Sequence, residues 1–360
     1  MKDIYLERIL LDNYRNFAAL SLHVTNGSNI IIGENGSGKT NILESISLLS
    51  AGKGLKSANF NDVCRYDNDY WHTKFNLYSK LGAAELITNF HANGKTRTIN
   101  YNGSKISSSE LANLLNLIWI TPQMEGLFTG AASARRKFLD RLTYNSNAKH
   151  ANNLSKYEYF MRERSKVLSQ RDWQSQQDWL SILENKMIDE ALCIEQSRQN
   201  AVRCLQKAIN DINTDFPKAN LLLSSLFEQK NQENDIRDAY QATLCQNREK
   251  DSYSTRTSFG VHRSDLLVMH YNKKQPAKIC STGEQKAMLV SIILSAVEAV
   301  AQQTQSTPIL LLDEIFIHLD QVRQKQLEDY IISTKLQTFI TATDIVGIET
   351  LAKKSNIIAL

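Results

Sequence analysis

The chain has 360 residues, 42% of them hydrophobic and 22% charged. That apolar share can build one large core or two ordinary ones, and the charge content argues against wholesale disorder. Lys and Arg (42) exceed Asp and Glu (38) by only 4, a balance that permits nucleic-acid binding without requiring it, because a patch matters more than a total.

In chain order, the start Met1 to Arg8 places charges where a signal peptide needs an apolar core. Ile4 to Leu11 and Phe17 to Val24 read as strands, and Asn29 to Ile32 as a short buried strand ending at Gly33. From Thr40 the spacing Ile42, Ile46, Leu49 is helical. Trp71 to Lys80, Ala84 to His91 and Thr96 to Tyr101 form an expected antiparallel meander, with Asn93-Gly94 as a hairpin signal and Asn102-Gly103 as the next turn. Leu117 to Thr121 is a strand stopped by Pro122. From about Arg135 no proline appears until Pro217, and long helices are expected over roughly Lys149 to Gln170 and Gln176 to Ile212.

Near Phe259 the α/β pattern returns: strand Leu266 to His270, helix Glu284 to Gln302, strand Ile309 to Leu312, helix Gln321 to Thr334, strand Thr338 to Thr341. The expected class is α/β, with a discontinuous mixed unit from residues 1–130 and 255–360 and a helical insertion over 131–254. The most apolar stretch, Ser291 to Ala301, carries Glu298 and falls short of the ~18 residues a membrane span needs. The five scattered cysteines never form CxxC, which suits reduced thiols. A soluble cytoplasmic protein is expected.

Gly33-Glu34-Asn35-Gly36-Ser37-Gly38-Lys39-Thr40 fits G-x-x-x-x-G-K-[ST] between an expected strand and an expected helix. Such a loop turns backbone N–H groups and a helix N-terminus toward phosphates. Lys39 can reach the β- and γ-phosphates of ATP, and the Thr40 hydroxyl can ligate Mg²⁺. Pro308 to Leu312 is an apolar strand ending in Asp313-Glu314. Paired with a phosphate loop, Asp313 suits a metal-holding role and Glu314 the role of base toward water. Ser281-Thr282-Gly283-Glu284 reads as a helix N-cap, and the same turn can serve an anion. Between Arg135 and Asp172, ten Lys and Arg face four acids. That stripe, with Lys53 and Lys56 as a second candidate, is either a track for a phosphate backbone or a solvated helical face. Trp173, Trp179, Tyr157 and Phe160 read as core rather than base-stacking residues.

The order phosphate loop, long middle, Ser-x-Gly turn, acidic strand end resembles the ABC-type ATPase superfamily in its DNA-repair branch of SMC and RecF relatives. Asn13-Tyr14-Arg15-Asn16-Phe17, Gly33 to Glu44, Thr121-Pro122-Gln123, Arg135 to Asp140 and Gly260 to Leu266 are similar to that branch's motifs. The resemblance implies a two-lobed head, with an ATP-binding lobe and a helical lobe and without a long coiled coil. It implies that Arg15, Gln123, Ser281 and Gly283 join the phosphate loop around ATP, with Gln123 also at Mg²⁺. It further implies a homodimer formed on ATP, binding of duplex or gapped DNA, cooperation with RecR and RecO, and help in loading RecA. Thr341 to Asp344 occupies the switch region, where the superfamily often carries a histidine. A transporter nucleotide-binding subunit is the alternative.

Overall fold

A computed structural model of the chain describes residues 4–50, 52–79, 82–94, 96–224 and 233–360. The N-terminal part contains β1 (Tyr5–Tyr14), β2 (Phe17–His23), β3 (Ser28–Ile32), α1 (Lys39–Ser47), β4 (Tyr70–Ser79), β5 (Gly82–His91), β6 (Arg97–Tyr101), β7 (Ser104–Lys105), α2 (Ser108–Leu114) and β8 (Leu117–Ile120). The middle contains α3 (Ala132–Tyr144), α4 (His150–Leu168), α5 (Gln177–Asp211), β9 (Ala219–Ser224), α6 (Glu233–Gln246) and α7 (Arg248–Ser254). Then come β10 (Asp265–His270), β11 (Gln275–Pro276), α8 (Thr282–Thr304), β12 (Ile309–Asp313), α9 (Gln321–Thr334), β13 (Thr338–Ala342), α10 (Glu349–Ala352) and β14 (Asn356–Ala359).

The described residues form three sheets. One is antiparallel, in the order β2-β1-β4-β5-β6-β7; one is parallel, β14-β3-β13-β12-β8; one is small, β11-β10-β9. The strands of the parallel sheet read as continuous apolar runs because both faces are covered. Ile31, Leu117, Trp119, Ile309, Leu311 and Phe339 pack with α1 and the antiparallel sheet. Their neighbours Ile30, Ile118, Ile120, Leu310, Leu312 and Ile340 pack with α3, α5, α8 and α9. The period-2 alternation of strand side chains thus separates two cores across one sheet. α8 is long and apolar enough to cross a bilayer by composition, yet 72% of its most apolar window is buried in the protein.

The expected strands and long helices fall where described, to within a few residues; Met1 to Asp3, Lys80 and Lys95 lie outside the described residues. Two differences stand out. Asn93-Gly94 does not make a two-residue hairpin: the last ladder pair is Phe90 with Arg97, and Ala92–Gly94 forms a 3₁₀ turn. The segment expected to be helical contains a strand, β9, which alternates buried and exposed residues and pairs antiparallel with β10. α5 keeps its expected span and runs 35 residues through three separate hydrophobic clusters. The five cysteines are free.

Candidate functional site

The loop Gly33–Gly38 leaves β3 and delivers Lys39 and Thr40 to the start of α1. Gly36 and Gly38 have φ of +89° and +109°, where a side chain is strained. At Gly38 space forbids one as well: a Cβ would lie 2.5 Å from the Phe17 ring and 2.7 Å from the Asn16 amide. The Asn16 amide donates to Ser37 O (3.0 Å) and its oxygen accepts from Asn41 (2.8 Å), so the β1–β2 turn leans directly on the loop. Lys39 is 4% exposed, and its ammonium donates to the carbonyls of Gly33 (2.7 Å) and Glu34 (3.0 Å).

The acidic strand end meets this loop through hydrogen bonds. Thr40 Oγ1 donates to Asp313 Oδ1 at 2.9 Å, closing a link across 273 residues of chain. Thr341 Oγ1 donates to the same oxygen at 2.8 Å and accepts the Glu314 N–H at 2.9 Å. Asp313 is 4% exposed, whereas Glu314 is half-buried with φ 50° and ψ 26° as the chain turns out of β12. The residues fit a hard divalent cation: a hydroxyl that gives its proton to a carboxylate keeps lone pairs for a metal, and oxygen donors suit Mg²⁺.

The remaining expected residues are placed as follows. The Arg15 guanidinium, at φ 54°, is bidentate on buried Glu44 of α1 (2.8 and 2.5 Å) and also donates to Asp62 O. Lys56 donates to Asn41 (2.7 Å) and lies 3.8 Å from Glu44, and Lys53 donates to Asn59 (3.3 Å). Gln123 is exposed on the 3₁₀ turn after β8, the strand beside β12. Ser281 caps α8 in a reciprocal capping box with Glu284. Lys273, and then the Ser281 backbone N–H, hold the Glu284 carboxyl down to about 2. Gly283 O accepts from Arg323 at the start of α9 (3.1 Å).

Ser281 and Gly283 are exposed, and α8 packs on the face of the parallel sheet opposite α1. The structure therefore brings Gly33–Thr40, Asp313 and Glu314 together, and sets Ser281 and Gly283 on the other side of the sheet. Sequence reasoning named Glu44 only as the end of a motif and missed its pairing with Arg15, as it missed the bridging role of Thr341. A Glu four residues beyond Thr40 on α1 was the available signal for Glu44.

The basic stripe is divided: Lys137, Lys149, Lys156, Arg162, Lys166 and Arg171 are exposed, and the other four cations are tied into the fold. Arg135 is paired with Asp265 (2.8 Å) and Arg136 donates to Ser264 O (2.7 Å). Arg141 lies 4.5 Å over the Trp119 ring. Arg164 is fully buried between Glu184 (2.9 Å) and Asp251 (2.8 Å). Four of the ten cations thus hold the helices to their surroundings. Tyr157 is buried, Phe160 and Trp173 are packed, but Trp179 is 50% exposed. His262, on the 3₁₀ turn Val261–Arg263, sits against Tyr157 OH (2.8 Å) and Thr257 O (2.9 Å).

Comparison with known proteins agrees with this geometry. The family described as RecF/RecN/SMC N terminal domain matches residues 5–358. Proteins named DNA replication and repair protein RecF are similar over the full length of both chains: 48% identical over 364 residues in Rickettsia prowazekii and 47% over 362 residues in Rickettsia bellii. Among solved structures, the recombination mediator protein RecF-ATPrS in the RecFOR pathway superposes with TM-score 0.87 at 23% identity, covering 100% of this chain and 97% of that one. An Smc head domain from Pyrococcus furiosus superposes with TM-score 0.55 at 15% identity, covering 99% and 93%. The fold is that of the ABC-type ATPase heads of RecF and SMC proteins, without a long coiled coil.

Proposed function

Because the chain belongs to the RecF/RecN/SMC N terminal domain family, we propose that it is an ATP-dependent DNA-binding clamp. It acts in recombinational repair of single-strand gaps and in replication restart. The observation that carries this reading is the Thr40–Asp313 hydrogen bond, which joins the phosphate loop to the acidic strand end in one buried site. Full-length relatives with a DNA replication and repair name leave the transporter alternative without support.

The roles follow from the chemistry of the residues. Lys39 exchanges the carbonyls of Gly33 and Glu34 for β- and γ-phosphate oxygens, because an ammonium gains more from a full negative charge than from a carbonyl dipole. Gly33, Glu34, Asn35, Gly36, Ser37 and Gly38 wrap the phosphates, and Arg15 and Gln123 flank them. Thr40, Asp313 and Gln123 would hold Mg²⁺, which neutralises phosphate charge. Glu314 orients the attacking water and takes its proton.

Ser281 and Gly283 lie across the sheet from Lys39 of the same chain. A two-fold dimer brings them to the phosphates held by the other copy, and one isologous interface makes two equivalent sites. ATP then favours the dimer, and slow, DNA-stimulated hydrolysis releases it. The clamp binds duplex or gapped DNA in the cytoplasm, works with RecR and RecO, and helps load RecA.

Sedimentation with a non-hydrolysable ATP analogue, run beside mobility shifts on gapped DNA, tests the reading. ATP-dependent dimers that retain DNA are expected, with Ser281→Arg blocking both. A strict monomer with unchanged DNA affinity removes the clamp.

A further inference from the structure

β3, which carries the phosphate loop, and β12, which carries Asp313 and Glu314, are not neighbours: β13 lies between them. On β13, Thr341 is in register with Ile31 of β3 on one side and Asp313 of β12 on the other. It is therefore the residue level with the point where both functional loops leave the sheet. Its side chain is 1% exposed and β-branched, so its rotamer is restricted.

A hydroxyl has one proton and two lone pairs. A carboxylate only accepts, so the Thr341 proton goes to Asp313 Oδ1 at 2.8 Å. An amide N–H only donates, so a Thr341 lone pair takes the Glu314 N–H at 2.9 Å. The polarity of the group is thus fully assigned. One bond fixes the carboxylate that Thr40 also holds. The other fixes the backbone of Glu314 in the left-handed region, at φ 50°. That conformation is uncommon for a residue with a side chain and persists where its surroundings over-determine it.

We propose that Thr341 is a positioning residue for hydrolysis: its hydroxyl sets the direction of the Asp313 carboxylate and the backbone turn that aims Glu314. It stands in the switch region, where an imidazole is often found, and it acts through the two acids to which its hydroxyl is bonded. The inference rests on the nucleotide-binding reading above.

Thr341→Val keeps the shape and removes both bonds; Thr341→Ala removes them without β-branched bulk; Thr341→Ser keeps the hydroxyl. In the full chain, nucleotide-analogue affinity measured in EDTA should match wild type for all three. The gain in affinity on adding Mg²⁺ should fall about fivefold or more, and single-turnover hydrolysis about tenfold or more, in Val and Ala. KM should change little, and Ser should return both readouts to near wild type. A Val or Ala variant with wild-type Mg²⁺ response and hydrolysis overturns the proposal. So does a Ser variant as impaired as Val, which would assign the effect to packing. A wild-type chain that binds no nucleotide would instead bring down the functional reading, and the inference with it.

Discussion

Lys286 and Glu125 form an ion pair at 2.6 Å in which the cation is 6% exposed and the anion 43%. Glu125 follows the turn that carries Gln123, and Lys286 lies on α8 just after Ser281 and Gly283. Arg323, at the start of α9, holds Gly283 O from the other side. The Ser281–Gly283 turn is thus fastened both to the segment after β8 and to the segment after β12.

Removing the two partners of this pair should not cost the same. Glu125→Ala leaves a buried ammonium without its anion and should destabilise by about 1–3 kcal/mol. Lys286→Met replaces the stem with apolar volume and should cost under ~1 kcal/mol. Urea midpoints of both variants check the order, and equal losses would refute it.

Neutralising Asp140 should be costly. Arg198 holds it at 2.7 and 2.9 Å and His150 at 2.8 Å, all within the protein. Burial alone would raise its pKa, but the His150 and Arg198 bonds outweigh that and hold it below 3.8. A depressed carboxylate contributes stability above its unfolded pKa and loses it as pH falls through the folded one. Asp140→Asn should lower stability by about 3–5 kcal/mol at neutral pH. It should also flatten acid unfolding below pH ~4, read by circular dichroism.

His262 supplies a second, separate pH window. Thr257 O can only accept, so Nε2 carries the proton and Nδ1 accepts from Tyr157 OH. Burial, followed by the charges of Arg263 and Arg136, lowers its pKa below 6.5. The neutral ring is thus the folded form, and its contribution is complete above pH 6.5 and declines below it. Melting temperature should fall between pH ~6.5 and 5, and His262→Gln should reduce that slope. An unchanged slope would contradict the assignment.

Lys39→Ala should weaken nucleotide binding by about tenfold or more, since the phosphate charge loses its side-chain partner. Filter binding reads the change.

Glu314→Gln should keep nucleotide binding and slow single-turnover hydrolysis by about a hundredfold or more, because general-base catalysis is worth that much. It should also prolong the ATP-bound dimer.

The phosphate loop was legible because it is local: eight consecutive residues between one strand and one helix specify it. The acids Asp313 and Glu314 were legible for the same reason, as a strand end. Pairings across sequence were not. Arg135 meets Asp265 at a separation of 130 residues and Arg164 meets Asp251 at 87, so a cluster of cations looked like a surface although its counter-ions came from elsewhere. The packing of His262 was hidden for the same reason, because its partner Tyr157 lies on α4, 105 residues earlier. β9 was hidden in a helical neighbourhood because its partner, β10, comes from the following segment.

The strand order also dictates when the site can exist during synthesis. β3 emerges from the ribosome early, yet its two neighbours in the sheet are β13 and β14. The distance is large: the Leu6 N–H pairs with the Gln337 side chain 331 residues away. Until those strands arrive, the phosphate loop has a hairpin leaning on it but no sheet beneath it. The sheet under the loop Gly33–Thr40 is thus incomplete until almost all of the chain has been translated, and a product stopped before β13 lacks it. Such long-range closure slows folding and leaves strand edges exposed meanwhile.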